Sequence, residues 1–283
     1  MKKTPLRTIK EPEYSGSFDI RDVQKLLQNS EMVQDLHRHN FFFILVLEVG
    51  IGEHSIDFVS YPVGDYSIFC MRPGQVHQLT LKKGSKGYLI RFNTDFYSPK
   101  ENLGRKMFLK ACSHNHCKLS FNSFKRINAI ASNIFIEHTD KPENHQKVIE
   151  YYLDIFFIEM ARQHAYLVAN KNNSTNYTQE RLHEFMVLLE THILTKKKVT
   201  DYAEMLHLTS YQLNTITKNT LGKTCSTIIN DQIILEAKRN LLATTNQVNT
   251  IAYQLGYEDT SYFIRFFKKH TGYTPETFRQ NFK

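Results

Sequence analysis

The chain lacks the features that define membrane and secreted proteins. Its longest uncharged apolar run, residues 41–47, is seven residues long, far short of the roughly 20 that a membrane-spanning helix needs. The first ten residues are basic, but no apolar segment follows them, so they do not form a signal peptide. We therefore expect a cytoplasmic protein with no membrane partner.

Cysteine and catalytic motifs are also scarce. The four cysteines, at 70, 112, 117 and 225, are scattered, which suits a reducing compartment rather than a disulfide framework. The glycine-containing stretch 82–87 lacks the spacing of a Walker phosphate loop, and no Ser/His/Asp or Cys/His triad can be assembled. We predict that the chain is not an enzyme and has no catalytic residue and no cofactor.

Positive charge is present, and it is local. The net charge is +8, yet residues 177–283 hold thirteen lysines and arginines against ten acidic residues. After Ser261 the cations are Arg265, Lys268, Lys269, Arg279 and Lys283, against Glu276 alone. Because a stripe of charge indicates nucleic-acid contact better than a total does, this segment becomes a candidate DNA-binding surface.

The hydrophobic pattern predicts two domains. Between about residues 35 and 96 it predicts strands over 41–49, 52–61, 67–71, 76–81 and 88–92, whose spacing is typical of a small sandwich or barrel. Helical periodicity follows over 124–136 and 148–168. We assign residues 1–169 to a ligand-sensing domain that could also dimerise, 170–177 to a polar linker, and 178–283 to an all-helical domain. The apolar side of the helix from about 145 to 168 fits core packing or a dimer contact equally well.

The last 36 residues contain a predicted helix-turn-helix. An apolar stripe over 248–255 ends at Gly256, which can cap a helix C-terminus. Asp259 or Thr260 can cap a second helix, which ends at Gly272 before Pro275. Spacing puts Phe263, Phe266, Phe267 and His270 on one face, and Thr260, Ser261, Ile264, Arg265 and Lys268 on the other. Two packed helices with a solvated face remain an alternative.

A looser copy of this unit precedes it. Residues 200–210 run from a helix into a turn, and the segment 211–224 contains a second helix that ends at Gly222. One longer amphipathic helix (228–242) lies between the two copies. Two such units on a rigid connecting helix could reach successive major-groove segments, which lie about 34 Å apart on one face of B-DNA.

The C-terminal hundred residues resemble the DNA-binding domain of the AraC/XylS family of transcription regulators. The residues that carry the resemblance are Ile251-Ala252, Leu255-Gly256-Tyr257, Ser261-Tyr262-Phe263, Arg265, Phe267-Lys268-Lys269, Gly272-Tyr273-Thr274-Pro275 and Phe278-Arg279. The first unit departs from the family pattern, because Thr215 and Thr217 stand where an arginine and a phenylalanine are usual. The resemblance implies base readout by Thr260, Ser261 and Arg265 in the second unit, and by Tyr211, Asn214 and Thr215 in the first. Lys218, Lys268 and Lys269 are then expected to hold phosphates.

The segment H-R-H-N-F-F-F-I-L-V-L with M-R-P-G-Q-V-H (71–77) resembles the cupin-type sensor domain of many AraC-like regulators, over residues 20–100. The expected fold is therefore α+β and multidomain, with a cupin-like β-barrel and following helices, then an all-α domain with two helix-turn-helix units. The resemblance implies a small-molecule effector at the barrel mouth. Its candidate contacts are His37, His39, Arg72, His77, Tyr88 and Arg91.

Metal is the alternative ligand for this domain. His37, His39 and His77 supply enough imidazoles, but metal-binding cupins usually add a nearby glutamate, and none occurs before Glu48. We therefore predict no metal, with the histidines satisfying loop backbone groups. Cys112, His114, His116 and Cys117 also look like ligands, but structural zinc normally draws two pairs from separated segments.

The combined reading is a sequence-specific transcription regulator that binds promoter DNA and responds to a small molecule. RNA polymerase and a second copy of the chain are further candidate partners. The alternatives are a metal-dependent cupin enzyme with a helical appendage, and a protein-interaction module. Salt-dependent binding of duplex DNA would separate the first reading from both.

Overall fold

The computed structural model describes residues 17–28, 30–99, 101–169 and 176–282. These residues form two compact units. The described residues up to 169 belong to the first unit, and residues 176–282 belong to the second. Residues 170–175 of the predicted linker lie outside the described residues, and its last two, Asn176 and Tyr177, open the first helix of the second unit. No helix among the described ranges is long and apolar enough to cross a membrane.

The described residues of the first unit form two antiparallel sheets and four helices. Its strands are β1 (Phe18–Asp22), β2 (Met32–Arg38), β3 (Phe42–Val49), β4 (Gly52–Ile56), β5 (Val59–Val63), β6 (Ser67–Met71), β7 (Val76–Leu81), β8 (Lys86–Phe92) and β9 (His116–Lys118). One sheet has the order β1-β8-β3-β6-β9 and the other β2-β7-β4-β5. The helices are α1 (Val23–Leu27), α2 (Asn102–Ala111), α3 (Phe121–Asp140) and α4 (His145–Ala169).

Strand β3 is apolar along almost its whole length because it contributes to two cores. Phe43, Leu45 and Leu47 meet side chains of both sheets, so these enter the space between the sheets. Ile44 and Val46 point the other way, against α2, α3 and α4. Alternation along a strand therefore produces no polar face here, and residues 41–49 are correctly predicted as a buried strand.

Two sequence expectations for this unit need revision. The predicted strand over 52–61 is a hairpin, β4–β5, because Asp57 and Phe58 both adopt positive φ, 49° and 70°, the conformation that a tight hairpin turn requires. The predicted apolar side of α4 lies in the helix-side core, where Ile149, Leu153 and Phe156 are buried. Core packing therefore explains that side, and dimerisation would have to use another.

The second unit is helical, as predicted. Its helices are α5 (Asn176–His192), α6 (Val199–Met205), α7 (Ser210–Leu221), α8 (Cys225–Ala243), α9 (Val248–Gln254), α10 (Thr260–Thr271) and α11 (Pro275–Phe282). The first half of α8 packs with α5–α7, through Ile229 and Ile233, and its second half packs with α9–α11, through Ala237 and Leu241. A single helix thus supplies both cores. The predicted α+β, two-domain fold is confirmed.

Candidate nucleic-acid interface and histidine cluster

Helix α10 is capped at both ends by the residues that the sequence indicates. The backbone N–H of Ser261 donates to the Asp259 carboxylate at 2.7 Å, so Asp259 rather than Thr260 is the N-cap. At the other end Gly272 adopts a left-handed φ of 81°, and its N–H donates to the Lys268 carbonyl. These caps satisfy backbone groups that a helix end leaves without partners and fix its length.

The two faces of α10 differ as predicted, with two exceptions. Phe263 and Phe267 are fully buried, but His270 is exposed and touches only the edge of the core through Phe266, at 4.6 Å between ring centroids. Ile264, predicted for the outer face, is half-buried and packs against the core.

The outer surface of α10 is therefore polar and cationic. It carries Thr260, Ser261, Arg265, Lys268 and Lys269, all exposed except the half-buried Thr260. The side chain of Arg265 is 71% exposed, and its ion pair with Asp259 is long, at 4.0 Å. A contact so exposed and so long holds a guanidinium weakly. The Arg265 guanidinium is therefore available to contact a partner outside the domain.

Arg279 does not belong to the charged surface on which the sequence places it. Its side chain is 11% exposed. Its Nε donates to the Leu241 carbonyl at 3.0 Å and its Nη2 to the Asn246 carbonyl at 2.5 Å. The guanidinium thus binds backbone oxygens at the end of α8 and in the loop that follows. Lys283, also predicted for the stripe, lies outside the described residues.

The first helix-turn-helix, α6 and α7, repeats this architecture with different side chains. Helix α7 begins with a capping box, in which Thr209 and Gln212 each bond the other's backbone N–H, and it ends at the left-handed Gly222. Tyr211 is 80% exposed, and Thr215 and Lys218 are exposed as well.

Asn214, in contrast, uses its side-chain amide within the protein. Its Nδ2 donates to the Ser210 carbonyl, and its Oδ1 accepts from the N–H of Cys225 at the start of α8, both at 3.0 Å. An adenine contact needs the same two atoms. The geometry therefore favours a positioning role, in which Asn214 fixes α7 against α8.

In the first unit (residues 17–169), three of the predicted effector residues converge. His37 on β2 and His77 on β7 are cross-strand neighbours, and His39 follows β2. One ring nitrogen from each of the three lies within 4.8 Å of the others. The turn between β6 and β7 holds His39 in place, because the N–H of Gly74 donates to its carbonyl at 2.9 Å.

A fourth histidine, His54 on β4, completes the cluster. Its Nε2 lies 2.9 Å from Nδ1 of His77, and Nε2 of His77 lies 3.0 Å from Nε2 of His37. His54 is not among the residues predicted for this site. Its signal is the alternation of β4, which puts His54 on the same inward face as the buried Ile56.

Burial keeps these imidazoles neutral. Loss of solvent lowers the pKa of His39 to about 4 and that of His54 to about 3. The same cause lowers the pKa of His77 and, to a smaller extent, that of the half-buried His37. Neighbouring histidines lower the pKa of His39, His54 and His77 further. At neutral pH each ring therefore has one N–H and one lone pair.

The comparisons with known proteins agree with this architecture. A family model described as a helix-turn-helix domain matches residues 202–281. The transcriptional activator RhaS of Enterobacter sp. is 20% identical over 248 residues, which cover 86% of this chain and 87% of RhaS. The activator FapR of Escherichia coli is 29% identical over 103 residues, covering 35% of this chain and 37% of FapR. Residues 202–281 thus match a helix-turn-helix domain, and most of the chain is similar to transcriptional activators such as RhaS, in agreement with the resemblance to the AraC/XylS family.

Among solved structures, a regulator with an AraC-type DNA-binding domain from Chromobacterium violaceum is 23% identical, with a TM-score of 0.34 over 38% of this chain and 95% of that one. ToxT from Vibrio cholerae is 16% identical, with a TM-score of 0.41 over 93% of this chain and 97% of ToxT.

The remaining predicted effector residues lie in three places. Arg91 is on the inward face of β8, where it forms an ion pair with Asp19 and lies 5.9 Å from the Phe41 ring. Arg72 is half-buried in the turn after β6. Tyr88 lies apart from the histidines, since it packs against the helix-side core with its ring centroid 5.5 Å from that of Phe135.

The second group of possible metal ligands, Cys112, His114, His116 and Cys117, does not form a metal site. Cys112 is buried beside Cys70, with their sulfurs 3.2 Å apart. Cys117 is buried in the helix-side core, and His116 stacks on Phe69. Within the described residues, the only group of three or more side chains with metal-ligand geometry is His37, His39 and His77.

Proposed function

We propose that residues 176–282 bind double-stranded promoter DNA by placing α7 and α10 in the major groove. One observation carries the proposal: α10 is capped at both ends, buries Phe263 and Phe267, and presents Arg265 and two lysines outward. Recognition helices of helix-turn-helix proteins have this division between a core face and a base-reading face.

The exposed side chains divide by chemistry. Arg265 can donate two hydrogen bonds to guanine, and Thr260 and Ser261 can contact either base type. Lys268, Lys269 and Lys218 are single point charges suited to phosphates, which position a protein without specifying sequence. In the first helix-turn-helix, Tyr211 and Thr215 remain for base contact, because the Asn214 side chain is hydrogen-bonded within the domain. We therefore propose that α10 dominates sequence selection.

The first unit is proposed to hold a small-molecule effector near His37, His39, His77 and Arg91, where buried polar groups gather, with Arg72 on the adjacent turn. Tyr88 is the weakest candidate because it faces the helices.

We propose that residues 1–169 form the sensing domain, 170–177 the linker and 178–283 the DNA-binding domain. We also propose a regulatory rather than enzymatic role in the cytoplasm, where the chromosome of a bacterium lies. Exposed Tyr151 and Ile155 on α4 favour a homodimer, and RNA polymerase is the expected partner at the promoter.

The test begins with selection of a preferred duplex from a random DNA library by the full chain. Anisotropy titrations then compare that duplex with a scrambled one. For Arg265→Ala we expect the ratio of the two affinities to fall by roughly 5- to 150-fold, which corresponds to about 1–3 kcal/mol for a bidentate base contact.

Lys268→Ala should weaken binding to both duplexes alike and reduce the slope of log affinity against log salt by about 1. Lys125→Ala is the matched control, because it removes an equally exposed lysine from α3 of the first unit. Unchanged discrimination in Arg265→Ala, or a salt slope near zero for the wild type, would contradict the proposal.

A further inference from the structure

The histidine cluster leaves lone pairs without partners, which is unusual for buried polar atoms. In the described part of the chain, Nε2 of His39 and Nδ1 of His54 are buried and accept no hydrogen bond. His39 itself is 93% buried, its relative exposure being 7%. An unpaired buried polar atom costs about 1–3 kcal/mol, so its retention calls for an explanation.

The partners of the other nitrogens determine which atoms carry protons. Nδ1 of His37 lies 2.7 Å from the Asp35 carbonyl, and Nδ1 of His39 lies 3.0 Å from the Phe41 carbonyl. A carbonyl only accepts, so both Nδ1 atoms must carry the proton. The lone pairs of His37 and His39 are therefore on Nε2.

His77 can also have its lone pair on Nε2. Its Nδ1 faces Nε2 of His54 and its Nε2 faces Nε2 of His37. When His54 and His77 both carry their proton on Nδ1, the Nδ1–H of His77 donates to Nε2 of His54, and Nε2 of His77 has a free lone pair. All three rings would then have a held Nδ1–H and a free Nε2. Metal-binding histidines almost always donate the N–H of their other ring nitrogen to a carbonyl or another acceptor in this manner.

We propose that His37, His39 and His77 form a divalent transition-metal site, with Zn²⁺ as its reference ion and His54 as the outer partner that orients His77. The inference rests on the proposed effector site, because it names the class of ligand bound there. It departs from our expectation from the sequence, which excluded metal because no glutamate follows His39 closely.

The donor set fits such an ion without that glutamate. Three imidazoles are a complete protein ligand set for a zinc that keeps its fourth position open, and imidazole suits zinc, nickel, copper and iron rather than magnesium or calcium. In a tetrahedral zinc site the nitrogens lie about 3.3 Å apart. The 4.8 Å within which one nitrogen of each ring lies is about 1.5 Å wider, so the rings must move closer together to bind the ion. His37 is half-buried, so it offers a route for the ion and for an anionic effector to take the fourth position.

The test uses the full chain, stripped of metal with a chelator, dialysed and titrated with Zn²⁺ by calorimetry, with elemental analysis of the recovered protein. We expect one zinc per chain, and no binding of Mg²⁺ at the same concentration. His37→Ala and His39→Ala should each abolish this stoichiometric site. His54→Gln should weaken it by about 10- to 100-fold, the usual effect of losing an outer partner.

His116→Ala is the matched control, because it removes a half-buried histidine outside the cluster, and it should bind zinc like the wild type. Circular dichroism and DNA affinity of each variant establish that it is folded, and His37→Ala is the mildest change because that ring is half-buried. No zinc binding by the wild type, or binding that His37→Ala and His39→Ala leave unchanged, would overturn the inference. A wild type that binds DNA but no zinc would refute the metal site alone, and one that binds zinc but no DNA would refute the proposed function alone.

Discussion

Replacing Arg279 by alanine should loosen the second helix-turn-helix unit without touching its DNA-facing surface. The guanidinium donates to the carbonyls of Leu241 and Asn246. Leu241 lies in the last turn of α8, where carbonyls have no partner within the helix. Each hydrogen bond from a charged group contributes about 1.5–3 kcal/mol. The ion pair with Glu276 is 3.6 Å long and that carboxylate is 58% exposed, so it adds little.

The two bonds share one side chain and are not additive, so we expect Arg279→Ala to destabilise this region by about 3 kcal/mol. Hydrogen exchange followed by mass spectrometry reports this locally, since regions of a protein open with their own free energies. Peptides from α9 to α11 should exchange about 100-fold faster, at 1.4 kcal/mol for each factor of ten. Peptides from β3 and β7 should not change.

Two variants separate this explanation from a simple loss of charge. Arg279→Lys keeps the charge but cannot reach both carbonyls with one ammonium, so it should fall between wild type and alanine. Lys269→Ala removes an exposed charge from α10 and should leave exchange unchanged. If Arg279→Ala alters exchange by less than about threefold, or accelerates it equally throughout the chain, the reasoning is refuted.

Two further predictions concern the turns and the first unit. Gly256 has a φ of 72°, and a Cβ there would lie 2.4 Å from the Leu194 carbonyl oxygen. Gly256→Ala should therefore lower the free energy of unfolding by more than the roughly 1–2 kcal/mol of left-handed strain, measured as a lower urea midpoint. His207→Gly, at the equivalent position of the α6–α7 turn with a φ of 53°, should instead raise it by up to about 1 kcal/mol. A Gly256→Ala variant as stable as the wild type would contradict this. In the first unit the buried Tyr97 hydroxyl donates to Asp154 at 2.7 Å, so Tyr97→Phe should cost about 1–2 kcal/mol, seen as faster exchange in α4, while the exposed control Tyr151→Phe should have no effect.

Local chemistry made much of this fold predictable. The ranges predicted for β6 and β7, 67–71 and 76–81, are those observed, because turn-forming residues bound both strands. The glycines at 256 and 272 end their helix or turn as predicted, since left-handed backbone strongly favours glycine. The β4–β5 turn was missed because Asp57 and Phe58 carry no glycine signal.

What the sequence could not show depends on contacts between distant segments. Arg279 looks like part of a charged surface until the carbonyls at the end of α8, 38 residues earlier in the chain, are seen to bind it. The sequence suggests that Asn214 contacts a base, but its side-chain oxygen accepts a hydrogen bond from the backbone N–H of Cys225. The convergence of His54 with His77, 23 residues apart, follows from the pairing of β4 with β7, and no local pattern encodes that pairing.

The sharing of α8 between two cores has a consequence for the DNA rather than for the protein. Its 19 residues form a rod about 28 Å long, with one recognition unit fixed at each end. Inserting one base pair between two DNA half-sites rotates one against the other by about 34–36°, since B-DNA completes a turn in 10–10.5 base pairs. A rod built into both cores cannot follow that rotation by bending at a hinge. Under the proposed function, affinity should therefore vary with the number of base pairs between the half-sites, with the period of the DNA helix.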